Sequence, residues 1–224
     1  MFAAGGTDSP PARAAMEQLC RAYWYSLYVY ARRRGNRAHD AQDHTQEFLA
    51  GLLQHNHFAR LSRERGRFRS YLLGAFQHFL AGQWDRARAQ KRGGGQPVLS
   101  WDELQAEERF ALEPASDETP ERNFDQRWAL SLMEAALARL RAEHADTGKL
   151  PQFERLELFL STEGNRAEYD RAAQDLNLTP GAVPVSVHRL RQRYAEIVRS
   201  EVAQTVATPA DLEAELHHLF TLQP

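Results

Sequence analysis

Two stretches of the chain concentrate side chains able to act on a polyanion. Residues 66–95, GRFRSYLLGAFQHFLAGQWDRARAQKRGGG, set Phe68, Tyr71, Phe76, Phe79 and Trp84 among Arg67, Arg69, Arg86, Arg88, Lys91 and Arg92. Rings stack on unpaired bases while cations hold phosphates, so this mixture suits single-stranded or opening DNA. Most of the rings must still build a core. The exposed ones are expected in the loop Arg60–Arg69, which adds Arg63 and Arg65, and at Trp84. Farther on, residues 172–194, AAQDLNLTPGAVPVSVHRLRQRY, place His188, Arg189, Arg191 and Arg193 inside six positions after a Thr-Pro-Gly turn.

The second stretch has the makings of a helix-turn-helix. Ala173 is small enough for two helices to cross, and Asn177 stands at the junction, where it tolerates a left-handed conformation. Leu176, Leu178, Val183, Val187 and Leu190 supply the apolar clamp. Thr179 is expected to cap the second helix, with Pro180 in its first turn. Val185, Ser186, His188 and Arg189 would then face a major groove, with Arg191 and Arg193 reaching phosphates. Pro184 is the awkward residue, since proline inside a helix costs roughly 3 kcal/mol. Near a helix start the first donors are unpaired anyway, so a delayed start or a slight kink is expected.

The elements that must position these groups read as helices. Leu19, Cys20, Tyr23, Leu27 and Tyr30 recur at three- and four-residue steps, and Gly35-Asn36 ends that helix after three arginines. A helix from about Ala38 to His55 turns Phe48, Leu49, Leu52 and Leu53 inward and carries Asp40, Asp43, Gln46 and Glu47 outside. A third begins near Arg67. Residues 96–124 are acidic, hold three prolines and lack a sustained period, which reads as a linker. Helices resume near Pro120–Asp125, and Thr208-Pro209 is expected to cap a last one. No strand-like alternation occurs. The expected architecture is all-α: a leader (1–14), one small helical domain (15–95), an acidic linker (96–124), a second helical domain (125–204) and a helical tail (205–224).

Composition narrows the class. The 224 residues carry a net charge of −2, but residues 1–95 hold +8 (15 Lys and Arg against 7 Asp and Glu) and residues 96–135 hold −7 (3 against 10). That asymmetry points towards nucleic acid. No apolar run is long enough to span a membrane. Cys20 is the single cysteine, which excludes an internal disulfide and suits a reducing cytosol. His55-Asn56-His57 lacks the surrounding pattern of a metal nuclease, and His217-His218 with Cys20 makes no zinc spacing. No nucleophile motif appears, so no enzymatic activity, metal or cofactor is expected.

Three motifs in this order resemble the extracytoplasmic-function sigma factors of bacterial RNA polymerase: DAQD…TQEF, FRSYLLGAFQHFLAGQWDRAR and YDRAAQDLNLTPGAVPVSVHRLRQRY. They are similar to regions 2.2, 2.3–2.4 and 4.2, and the resemblance covers roughly residues 15–204. It implies an initiation factor that melts promoter DNA through binding energy alone. Asp40, Asp43, Gln46 and Glu47 would dock on the polymerase clamp helices, and the second domain would meet the flap. The loop from Phe58 to Arg69 would capture a flipped base of the −10 element, and residues from His78 to Arg92 would hold its upstream edge. Pro184, Val185, His188 and Arg189 would meet the −35 element, and the acidic linker would lie in polymerase channels. Gln42 stands where the family usually has glutamate, weakening the acidic face by one charge; phosphate on Thr45 would restore it. A kinase would then be a partner; an anti-sigma factor is a partner that only the resemblance implies, since the residues themselves name none. The tail past region 4 resembles that of a subgroup and would pack on region 4 or gate it. The competing reading is a helix-turn-helix regulator that acts without joining polymerase, though such a protein has no need of a melting surface.

Overall fold

The computed structural model describes residues 10–54, 68–89, 103–113, 117–206 and 208–222. These form helices without strands: α1 (Pro10–Arg33), α2 (Ala38–Gln54), α3 (Phe68–Ala89), α4 (Glu103–Ala111), α5 (Pro120–Asp146), α6 (Leu150–Leu156), α7 (Arg166–Asp175), α8 (Ala182–Ala203) and α9 (Pro209–Thr221). No helix among them is long and apolar enough to cross a membrane. The chain divides into two compact units, Met1–Ser131 with Ala203–Pro224, and Leu132–Val202. The first unit thus takes in the opening turns of α5 and the C-terminal tail, beyond the expected boundaries at residues 95 and 204.

The first unit is built around α1. The sequence predicts one apolar face, yet Tyr23, Trp24, Tyr25, Leu27, Tyr28, Val29, Tyr30 and Ala31 are all buried. A helix buried all round needs a neighbour on every side. The acidic stretch expected to be a linker provides one of them as α4. Tyr28 and Arg32 both bond Glu107, Tyr25 donates to Glu113 at 2.6 Å, and Arg32 and Arg33 lie over the Phe110 ring at 4.7 and 5.2 Å. Glu113 also pairs with Arg127 of α5 at 3.0 Å. These carboxylates complement α1 and α5 within the unit, and the segment read as a linker holds a helix. The helix is only nine residues long, too short for its apolar positions to repeat more than once or twice in the sequence.

The end of α1 follows its sequence signal. Gly35 adopts φ +89°, the Asn36 N–H donates to the Ala31 carbonyl at 3.2 Å, and the Gly35 N–H donates to Arg32 at 3.0 Å. That pair of bonds is a Schellman motif, which glycine permits without strain. Phe48 of α2 meets Phe76 of α3 at 5.0 Å between ring centres, and Leu49, Leu52, Leu72 and Leu80 complete that core. Tyr23 stacks on Phe124 and Trp128 of α5 at 6.4 and 6.3 Å and meets the Phe68 edge at 5.3 Å. Thr208 caps α9 by accepting from the Asp211 N–H at 3.1 Å, with Pro209 in the first turn, as expected.

In the second unit, Leu132, Ala136 and Leu140 of α5 share a core with Phe153, Leu156 and Phe159, and with Val187, Leu190 and Ile197 of α8. The segment between the first helix of this unit and the helix-turn-helix therefore has a packing role. Gly164 lies so close to Phe159 and Tyr169 that an added Cβ would fall 2.5 and 2.7 Å from their rings. Only a hydrogen fits there.

Candidate nucleic-acid interface

The turn between α7 and α8 is set by one residue. Asn177 has φ +53°, the single non-glycine residue with positive φ among the described residues. The Leu178 N–H donates to the Ala173 carbonyl at 2.8 Å, and the Asn177 N–H donates to Gln174 at 3.2 Å. This again is a Schellman ending, with asparagine where glycine is usual. Ala172 and Ala173 are buried at 0% and 2% exposure, as the crossing requires. At the other end, Asn165 and Glu168 form a reciprocal capping box that starts α7.

The entry to α8 departs from expectation. The helix starts at Ala182, so Thr179 does not cap it and instead offers its carbonyl to the Ala182 N–H at 2.9 Å. Pro184 is then the third helical residue, where a backbone donor would be unpaired in any case. The expected late start is what accommodates it, and α8 continues without a break to Ala203. An open groove beside this entrance is lined by Arg166, Tyr169, Asn177, Leu178, Pro180 and Pro184.

Side-chain partners sort His188, Arg189, Arg191 and Arg193 of α8 into two classes. Arg191 donates to the carbonyls of Phe159 and Thr162, both at 2.9 Å, and so ties off the chain after α6. Arg193 grips Glu143 of α5 with two bonds of 2.8 Å and reaches Glu196 at 2.9 Å. The Glu143 bond, with that of Glu196, pushes the Arg193 pKa up. Both were expected to reach phosphates; both are committed inside the unit. His188 and Arg189 are exposed and have no side-chain partner among the described residues. Val185 is 50% exposed and Ser186 partly so. Gln192, exposed on the turn after His188 and Arg189, extends this face. Its four-residue spacing from His188 was legible, although an uncharged side chain does not stand out in a basic run.

In the first unit, Asp40, Asp43 and Glu47 are exposed along α2 at helical spacing, and Gln46 is half-buried. His39 lies 3.3 Å from Asp43, and Gln83 donates to Glu47 at 2.9 Å. Gln42 is 6% exposed and belongs to the interior, so its lack of charge takes nothing from the acidic face. Thr45 is fully buried and donates to the Ala41 carbonyl at 2.7 Å, which corrects its expected place as an accessible phosphate acceptor. A kinase would reach it only after α2 opened.

On α3, Phe68 packs against Tyr23, His78 is exposed, and Trp84 is 40% exposed. The Arg34 guanidinium lies 5.5 Å from the Trp84 ring centre, a cation–π neighbour that sequence reading had used only to end α1. Arg69 was expected to hold DNA, yet it is 5% exposed. It pairs with Asp125 and with Glu215 of α9, the latter at 2.7 Å, and lies 5.0 Å from the Trp128 ring. Two carboxylates and a ring remove it from any contact with nucleic acid. Arg86 and Arg88 are on the last turns of α3. Arg60, Arg63, Arg65, Arg67, Lys91 and Arg92 lie outside the described residues, as does His55-Asn56-His57.

No described group of His, Cys, Asp and Glu is arranged to hold a metal ion. Comparison with known family models, curated proteins and solved structures finds no match to this chain.

Proposed function

We propose that the chain is a transcription initiation factor of the sigma type, which joins bacterial core RNA polymerase and directs it to promoters. The observation that carries this reading is the α7–α8 pair. A left-handed Asn177 and the buried Ala172 and Ala173 lead into a helix whose exposed face holds Val185, His188, Arg189 and Gln192. That is the form in which a helix enters a major groove. The acidic row Asp40, Asp43 and Glu47 is the candidate docking face for the polymerase clamp, with Gln46 at its edge. Trp84 and Arg34, with His78, Arg86 and Arg88, are the candidate contacts to the opening −10 element. The role is binding and strand separation; unstacking a base costs a few kcal/mol and stacking on protein rings returns about 1–3 kcal/mol per base. Polymerase contacts must supply the rest.

The test is transcription with purified core polymerase and linear genomic fragments. The chain should confer defined start sites, and Asp40→Lys with Asp43→Lys should abolish both co-purification with the core enzyme and initiation. DNA binding without any initiation would favour the regulator that acts outside polymerase.

A further inference from the structure

We propose that α8 reads a thymine methyl with Val185 beside a guanine held by Arg189, so that its half-site contains T and G at neighbouring base pairs. The inference rests on the DNA-binding reading above and names the chemistry of that site. The first turn of α8 offers no strong donor or acceptor to a base. Pro184 is exposed, Val185 is 50% exposed, and Leu178 and Pro180 are exposed in the turn before it. An apolar side chain can tell bases apart in the major groove only through the C5-methyl group of thymine. The chain thus presents a methyl reader where a helix-turn-helix usually places its leading contacts.

Arg189 stands one turn later on the same side, four residues on. Arg191 and Arg193 are spent on Phe159, Thr162, Glu143 and Glu196. Arg189 is therefore the guanidinium of this stretch left to make the bidentate contact to guanine O6 and N7. Four residues rise about 6 Å along a helix. A helix lying along the major groove meets successive base pairs about every three to four residues, which makes the two contacted base pairs neighbours. His188, between them in sequence, is placed for the adjoining phosphate or base.

The experiment selects bound sequences from a random duplex library with the full chain, alone and mixed with core polymerase, and then replaces single bases. The expected motif pairs T with G at this spacing. Replacing that dT by deoxyuridine removes only the methyl and should weaken wild-type binding about fourfold. Val185→Ala should bind dT and deoxyuridine equally, and Arg189→Ala should lose the preference for G. Selection of a motif that is indifferent to the methyl overturns the proposal while leaving DNA recognition intact. Absence of any enriched sequence overturns the DNA-binding reading itself, and the proposal with it.

Discussion

Glu215, near the end of the chain, holds Arg69 at the start of α3 in a buried two-point ion pair, with N–O separations of 2.7 and 3.4 Å. Asp125 takes a third guanidinium hydrogen, and His218 lies 3.3 Å from the other oxygen of Asp125. Burial alone would lower the Arg69 pKa, but the Glu215 bond and the charges of Asp125 and Glu215 outweigh it and raise the value. The group stays charged inside the unit, and the C-terminal helix is part of the unit's fold.

Removing Glu215 leaves the buried Arg69 guanidinium with Asp125 as its remaining carboxylate and with donors that have lost their acceptor. Glu215→Ala should destabilise the first unit by roughly 1–3 kcal/mol, read as a lower urea midpoint. The double change Arg69→Met with Glu215→Leu should cost less than the sum of the two singles, because the pair then leaves together. Equal additive losses would show that the two residues act independently.

The tyrosines of α1 set an alkaline limit. Burial, aided by the Glu215 charge, raises the Tyr23 pKa; burial with bonds to Glu113 and Glu107 raises Tyr25 and Tyr28; burial raises Tyr30. A group raised in the folded state contributes stability that is full below its unfolded value of about 10 and declines as pH rises beyond it. The urea midpoint of the first unit should therefore fall between pH 9 and 11. Tyrosinate absorbance should appear late in the native protein and at the ordinary pH once urea unfolds it.

The two arginine classes of α8 should separate on DNA. Arg189→Ala should weaken binding about tenfold and relax the preference for guanine, as the loss of a base contact does. Arg193→Ala releases Glu143 and Glu196 and should leave the salt slope unchanged. Binding titrations over a range of salt concentrations check this; a slope lower by about one for Arg193→Ala would return Arg193 to the phosphates.

Asn177 holds the turn at φ +53°. Asn177→Val should cost about 1–2 kcal/mol of second-unit stability, because a branched Cβ resists the left-handed region. Asn177→Gly should be neutral or slightly stabilising. Thermal unfolding of the two variants gives the comparison.

Much of this organisation is a matter of local signals. Gly35-Asn36 and Asn177 mark chain reversals because their conformational freedom is a property of the residue, and Thr208-Pro209 starts α9 for the same kind of reason. The all-helical class follows from apolar spacing that repeats within a few residues. Exposure of Asp40, Asp43, Glu47, His188 and Arg189 also follows from spacing, since a helix with one apolar face must turn the other outward.

What the spacing leaves open is which charge meets which. Arg69 and Glu215 are 146 positions apart, and no local pattern pairs them; only the folded unit decides that this arginine is structural while Arg189 has no side-chain partner among the described residues. The same holds for Arg191 and Arg193, whose acceptors Phe159, Thr162 and Glu143 lie on other segments. Gln42 and Thr45 look polar and therefore outward in the sequence, yet the packing of α2 takes both inside. Burial of polar groups is settled by distant partners, and those exist only once the chain has closed on itself.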